Sequence, residues 1–234
     1  MIVIRRSEER GHDDKGWLNS YHTFSFADYQ DPQHIGLRSL RVLNEDLVAP
    51  GRGFGAHGHR DMEIISYVVS GKLGHKDSMG HQEVLGPNEV QVMSAGSGVV
   101  HSEFNASESE PVHFLQIWIE PAEKGLPSGY QQLAFEAAEK TGRWKHLVAP
   151  VRSTGVAGIH QDASLAVTTV RPGEQLSYDL RPGRQAWVQV MTGSISLNGQ
   201  ELKQGDAAAI SDLPQLTVRA NETSTSEVLL FDLA

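Results

Sequence analysis

Gly51-Arg-Gly-Phe-Gly-Ala-His57-Gly-His59-Arg-Asp-Met-Glu63 runs straight into the apolar stretch Ile64-Ile-Ser-Tyr-Val-Val69, and further along stands Gly98-Val-Val-His101-Ser-Glu103-Phe-Asn105. In each segment a ligand-type side chain is followed two residues later by another. The side-chain period of a strand is 2, so His57 and His59 share a face, as do His101 and Glu103. On a helix, residues two apart diverge by roughly 200° and could not chelate one ion together. Gly51, Gly53 and Gly55 precede the first pair, and Gly96 and Gly98 the second, so the backbone can approach closely before each ligand segment. Two neighbouring strands of a small barrel would then supply three imidazoles and one carboxylate. Such a set suits iron, manganese, nickel, copper or zinc and suits magnesium or calcium poorly. Glu63 has the same strand parity as the two histidines, so parity leaves Glu63 and Glu103 as alternatives for the carboxylate.

Outward from these segments the chain keeps a strand-and-turn rhythm. Leu40–Leu43, Glu63–Val69, Val90–Met93 and Val112–Ile119 are short alternating or apolar runs closed by Gly, Pro, Asn or Asp. Ala186–Val190, Gly193–Leu197, Ala207–Ile210, Leu216–Val218 and Val228–Phe231 repeat the pattern. An all-β sandwich or barrel is expected. Pro121 to Ala149 reads as the connection between two halves, with a turn or two of helix over Tyr130–Ala138. Val69-Ser-Gly71 followed by Gly86-Pro-Asn-Glu-Val90 parallels Met191-Thr-Gly193 followed by Gly205-Asp206-Ala-Ala-Ala, an offset of 122 between Gly71 and Gly193. That is the scale of a duplicated domain rather than of a solenoid. The expected division is 1–135 and 136–234, with the metal site in the first. The offset sends His57 and His59 to Asp179 and Arg181, so the second copy is expected to be free of metal. His146 and His160 read as isolated surface or packing residues. His12, His34, His75, His81 and His113 read as loop or strand residues without chemistry, and His22 is a candidate for the mouth of the pocket.

Composition narrows the function classes. The 234 residues carry 20 basic and 29 acidic side chains, a net charge of -9, which gives no field for phosphate backbones. There is no cysteine, so thiolate nucleophiles, Cys-type zinc sites and disulfides are excluded. No Walker-type phosphate loop and no Gly-x-Ser-x-Gly elbow occurs. Met1-Ile-Val-Ile-Arg-Arg turns charged too soon for a secretory h-region, and no stretch is apolar enough to span a bilayer, so a cytoplasmic protein without membrane or nucleic-acid partners is expected.

Gly51, His57-x-His59 and Glu63 match the spacing of the first cupin motif, and Gly98-x-x-His101-x-x-x-Asn105 matches the end of the second. Within the cupins the chain resembles the pirin family. The likeness lies in Trp17–Phe26, His57–Glu63, Asp77-Ser-Met-Gly80, Met93–Gly98, His101-Ser-Glu103 and Gln116-Ile-Trp-Ile119, blocks that span most of residues 10 to 131. The resemblance implies a bicupin of two tandem jelly-roll barrels. It implies one metal ion held by His57, His59, His101 and Glu103, iron(II) in the usual case, with Zn2+, Mn2+, Ni2+ and Cu2+ also suited to the set. It selects Glu103 as ligand and catalytic base, and leaves Glu63 to orient an imidazole through a hydrogen bond. The implied activity is that of a quercetin 2,3-dioxygenase, opening a flavonol heterocycle with O2 and releasing carbon monoxide. Phe24, Phe26, Phe54 and Trp118 are candidates for stacking on such a substrate. Two other readings remain: a metal-responsive protein that acts through a protein partner, as eukaryotic pirins do, and a cupin enzyme for another small enolisable substrate.

Overall fold

The computed structural model describes residues 1–234. Its chain divides into two compact units, each a pair of β-sheets. The first comprises Gly11–Phe135 with Ile159–Gln161. Its seven-stranded sheet runs in the order Gly129–Ala134, Glu89–Ser94, Glu63–Ser70, Val112–Ile119, Leu40–Val48, Leu18–His22, Gly11–Asp14. The facing sheet has four strands, Gly53–His59, Val99–Asn105, Leu73–Asp77 and Gln82–Leu85. All these pairings are antiparallel.

The central strands of the large sheet are the continuous apolar runs, while Leu18–His22 and Val99–Asn105 alternate buried with less buried residues. Two apolar clusters fill the unit's interior. One gathers Leu18, Val48, Val68, Leu73, Leu85, Val112 and Phe114. The other is built on Ile64, Met93 and Val99, with Trp118 and Tyr130 packed against it. On the central strands Ser66 falls between Ile64 and Val68, and Gln116 between Phe114 and Trp118. Asn44, Gln116 and Ser66 lie side by side in register. A polar row thus crosses the sheet between two apolar layers, and it is where the chemistry collects.

The second unit comprises Met1–Arg10, Glu136–Gly158 and Asp162–Ala234. Its seven-stranded sheet has the order Ile2–Arg5, Ala207–Ile210, Gln185–Thr192, Ser226–Leu233, Ala163–Val170, Lys145–Ala149, Ala157–Gly158. Its four-stranded sheet is Gln175–Asp179, Gln215–Ala220, Ser194–Leu197 and Gln200–Lys203. One aliphatic core, including Val188, Leu216, Val218 and Leu230, fills this unit.

The units differ from the contiguous 1–135 and 136–234 in two respects that sequence patterning missed: Ile159–Gln161 belongs with the first unit, and Met1–Arg10 with the second. Ile2–Arg5 adds a strand beside Ala207–Ile210, Ile2 and Ile4 pack on the aliphatic core, and Arg6 bonds the buried carboxylate of Asp206 at 2.8 Å. The first residues therefore belong to the C-terminal unit. The expected helix over Tyr130–Ala138 is also corrected. Gly129–Ala134 is a strand paired along Glu89–Ser94, and only Ala137–Lys140 is helical. An available sheet edge overrides the local helix preference of a Gln- and Ala-rich segment. No helix is long and apolar enough to cross a membrane.

Candidate metal centre

Gly53–His59 pairs with Val99–Asn105 so that His101 faces His57 and Glu103 faces Phe54. Two steps along one strand thus match three along the other, and a bulge at Gly55 and Ala56 takes up the difference. The bulge has a chemical consequence: the Gly55 carbonyl accepts the Nδ1–H of His57 at 2.8 Å, which leaves the His57 Nε2 lone pair free. Gly53 permits the close strand approach, since a Cβ there would meet the Glu103 carbonyl oxygen at 2.3 Å.

The rings of His57, His59 and His101 form a near-equilateral triangle, with centroids 4.8, 4.5 and 4.8 Å apart. One ligand atom from each lies within 4.8 Å of the others. The Nε2 atoms of His57 and His101 are 3.1 Å apart. His59 Nε2 and His101 Nδ1 are buried without a hydrogen-bond partner. Burial first, and then repulsion from His57, lowers His59 to about 4 and His101 to about 3, so both are neutral at physiological pH. Neutral imidazoles with converging nitrogens and an orphaned buried Nε2 form a donor set that fits a divalent transition-metal ion.

Glu103 is fully buried beside this triangle. Its Oε1 accepts from Ser66 Oγ at 3.0 Å and its Oε2 from Gln116 Nε2 at 2.7 Å. Burial pushes its carboxyl up to about 7 against the pull of those two donors. Glu103 groups with His101 and His75, so it meets the triangle through His101 rather than closing evenly on all three rings.

His75 is the residue that sequence reading passed over. It is buried against His101, with ring centroids 5.4 Å apart, and its two nitrogens are taken: Nε2 pairs with Asp77 Oδ2 at 3.1 Å and Nδ1 with Gln91 Nε2 at 3.3 Å. Asp77 also holds His81 Nδ1 at 2.9 Å. His75 therefore buttresses His101. Its signal was available, because His75-Lys76-Asp77 is itself a same-face pair two residues apart.

Glu63 does not orient an imidazole of the triangle. Its Oε2 accepts from Ser94 Oγ at 2.6 Å, and its Oε1 pairs with His160 Nδ1 at 2.8 Å. His160 is thus a packing partner of Glu63, and the two lie outside both histidine groupings. His57, His59 and Gln116 open onto a cavity of about 440 Å³. Phe26, Phe54 and Trp118 line it, and His22 does too, whereas Phe24 is in the core. Asn44 and Asp46 form part of its wall.

The Pirin family model matches residues 3–119, and that of the quercetinase C-terminal cupin domain matches residues 146–233. The chain belongs to the pirin family. It is 44% identical over 234 residues to the quercetin 2,3-dioxygenase of Escherichia coli strain K12, covering 100% of this chain and 99% of that relative. It superposes on the crystal structure of YhhW from Escherichia coli with a TM-score of 0.95 at 42% identity, covering 100% of this chain and 98% of that one. A structure of the bacterial pirin YhhW in complex with nickel(II) gives a TM-score of 0.93 at 42% identity, with 100% and 99% covered. The two sheet pairs of this pirin are accordingly its two cupin barrels.

Proposed function

We propose that this pirin is a metal-dependent dioxygenase that opens the heterocycle of flavonols such as quercetin with O2, the ring carbon that carries the 3-hydroxyl leaving as carbon monoxide. The observation that carries the reading is the convergence of three imidazoles beside a buried carboxyl raised to about 7, at an aromatic-lined cavity. Likeness to a relative named quercetin 2,3-dioxygenase supports it, and the nickel complex of a relative supports a divalent ion here.

His57, His59 and His101, with Glu103, would hold the ion. A bound divalent transition metal acidifies an enolic hydroxyl and gives O2 a redox partner. The remaining work belongs to the chain. The Gly55 carbonyl keeps His57 in one tautomer, and Asp77 and Gln91 hold His75 against His101. Glu103 can take the substrate's 3-hydroxyl proton on Oε1, because the Ser66 hydroxyl at that oxygen can rotate from donor to acceptor, whereas the Gln116 amide at Oε2 can only donate. The cavity falls within the usual size range for a small-molecule site, and Phe26, Phe54 and Trp118 offer ring faces and edges to a flat substrate. Iron(II) is the ion proposed, with nickel the alternative that the relative's complex favours.

The test is oxygen uptake and loss of flavonol absorbance with protein loaded in turn with iron(II) and nickel(II). Quercetin should be consumed with carbon monoxide released, and a quercetin analogue lacking the 3-hydroxyl should not react. Loaded protein that keeps its ion yet leaves quercetin untouched under air would transfer the site to another enolisable substrate.

A further inference from the structure

The inward face of Leu40–Val48 reads Val42, Asn44, Asp46, Val48. Two polar side chains interrupt an apolar face, and both are almost fully removed from bulk water, at 2% and 3% exposure, while lining the cavity. This strand belongs to the large sheet, across the interior from the strands that carry His57, His59 and His101.

Neither residue is satisfied as a structural polar group usually is. Asn44 Oδ1 is buried without a hydrogen-bond partner. Asp46 accepts from Ser20 Oγ on one oxygen. The neighbouring Glu45 is taken by His113 at 2.9 Å. A second orphan lines the same cavity: Trp118 has a buried, unpartnered Nε1–H. Buried polar atoms are almost always paired, and those left unpaired at a cavity wall mark where a ligand's polar groups belong.

The geometry points to Asn44, Asp46 and Trp118 as a hydroxyl-recognition subsite, one that selects a polyhydroxylated aromatic substrate by binding hydroxyls other than the 3-hydroxyl placed at the imidazole cluster. This rests on the dioxygenase reading for the orientation of the substrate. The chemistry is specific to a hydroxyl, which both donates and accepts: it can donate to Asn44 Oδ1 and accept from Trp118 Nε1–H. A carboxylate would face the Asn44 oxygen and Asp46 unfavourably, and a bare hydrocarbon ring would strand all three groups. Burial raises the Asp46 carboxyl to about 7, although Ser20 pulls it down, so near neutral pH a neutral acid that can also donate is present.

The test compares binding of quercetin with that of 3-hydroxyflavone, which keeps the 3-hydroxyl and lacks the others, by anaerobic titration of metal-loaded full-length protein. Wild type should prefer quercetin by about tenfold or more, the equivalent of roughly one or two hydrogen bonds. Asn44→Leu, and independently Trp118→Phe, should each erode that preference several-fold by weakening quercetin more than 3-hydroxyflavone, with metal content retained. Asp46→Leu should do the same, while Asp46→Asn, which still donates and accepts, should restore most of the preference. Equal weakening of both ligands in all the variants would assign these residues a merely structural role and overturn the subsite. Wild type that binds both flavonols alike, or neither, would overturn it as well. Selective quercetin binding with no oxygen uptake under air would instead defeat the dioxygenase reading and leave the subsite standing.

Discussion

The two barrels share a sheet plan and differ in what fills it. Leu73 and Ile195 stand at the same offset as Gly71 and Gly193, and they pair with Asn105 and Ala220. Counting back along those strands puts Val218 where the first barrel has Glu103, and Leu216 where it has His101. Leu216 pairs with Tyr178 as His101 pairs with His57, so Tyr178 and Leu180 occupy the positions of His57 and His59. Asp179 and Arg181, which the constant offset selects, are exposed. The connection that follows is one residue longer in the second barrel, and a slip of one residue moves a strand's side chains to the other face.

The exchange extends to the carboxylate's supports. Ser66 and Gln116 pair in register, and Val188 and Leu230 pair at the corresponding place in the second barrel. A buried carboxylate without donors, or buried donors without an acceptor, loses solvation for nothing, so the three positions change character together. The comparison teaches that the candidate donor set occupies positions that the second barrel fills with Tyr178 and aliphatic side chains while keeping the same sheet plan.

Breaking the comparison at its centre should have the largest effect. His101→Ala should take bound divalent metal from close to one ion per chain to near zero by elemental analysis, because the second barrel has Tyr178, Leu180 and Leu216 where the first has its three imidazoles. Retention of a full ion would place the site elsewhere.

Next in size is the contrast between two glutamates. Glu103→Gln keeps shape and removes charge, and it should lower turnover more than about 100-fold and weaken metal retention. Glu63→Gln touches only Ser94 and His160, so metal content should stay near wild type and turnover should fall less than about tenfold. The reverse ranking would move the carboxylate ligand to Glu63.

Val218→Glu sharpens the comparison from the other side. It recreates the carboxylate of the first barrel where Val188 and Leu230 offer no donors, and should cost about 3–5 kcal/mol in urea denaturation at neutral pH. Ion content should not rise. A neutral effect would mean that the aliphatic core admits water.

The smallest expected effect is on pH dependence. The Asp46 carboxyl is raised from 3.8 to about 7 in the folded protein, so its contribution to stability is fully present below about pH 4 and is lost as pH rises through about 7. Asp46→Asn removes that dependence. Between pH 4 and 8 the wild type should therefore lose more stability than the variant, by on the order of a few kcal/mol at most. Parallel pH profiles would show that Asp46 is already ionised in the folded state.

Much of the site was legible because it is written in period 2. His57 with His59, and His101 with Glu103, are pairs that only a strand makes useful, and the glycines ahead of them announce close backbone approach. The bulge at Gly55 was not legible, since nothing local distinguishes the glycine that bulges from its neighbours at 53 and 58. Nor was the fate of Glu63. Parity placed it with the histidines, but a partner almost a hundred residues away, His160, decides where its carboxylate is used.

The sequence by itself determined the all-β class and the duplication, and it spelled out a set of metal-type donors at same-face spacing, because these depend on residue type and local spacing. Tertiary structure alone decided what depends on strands distant in the chain. It placed Ile2–Arg5 beside Ala207–Ile210, laid His75 against His101, and set Ser66 and Gln116 on the two oxygens of Glu103. It also left Asn44, Asp46 and Trp118 facing one cavity with polar atoms to spare. The physical reason is that a strand's own sequence sets which face a side chain takes, whereas sheet order and register set what that face meets.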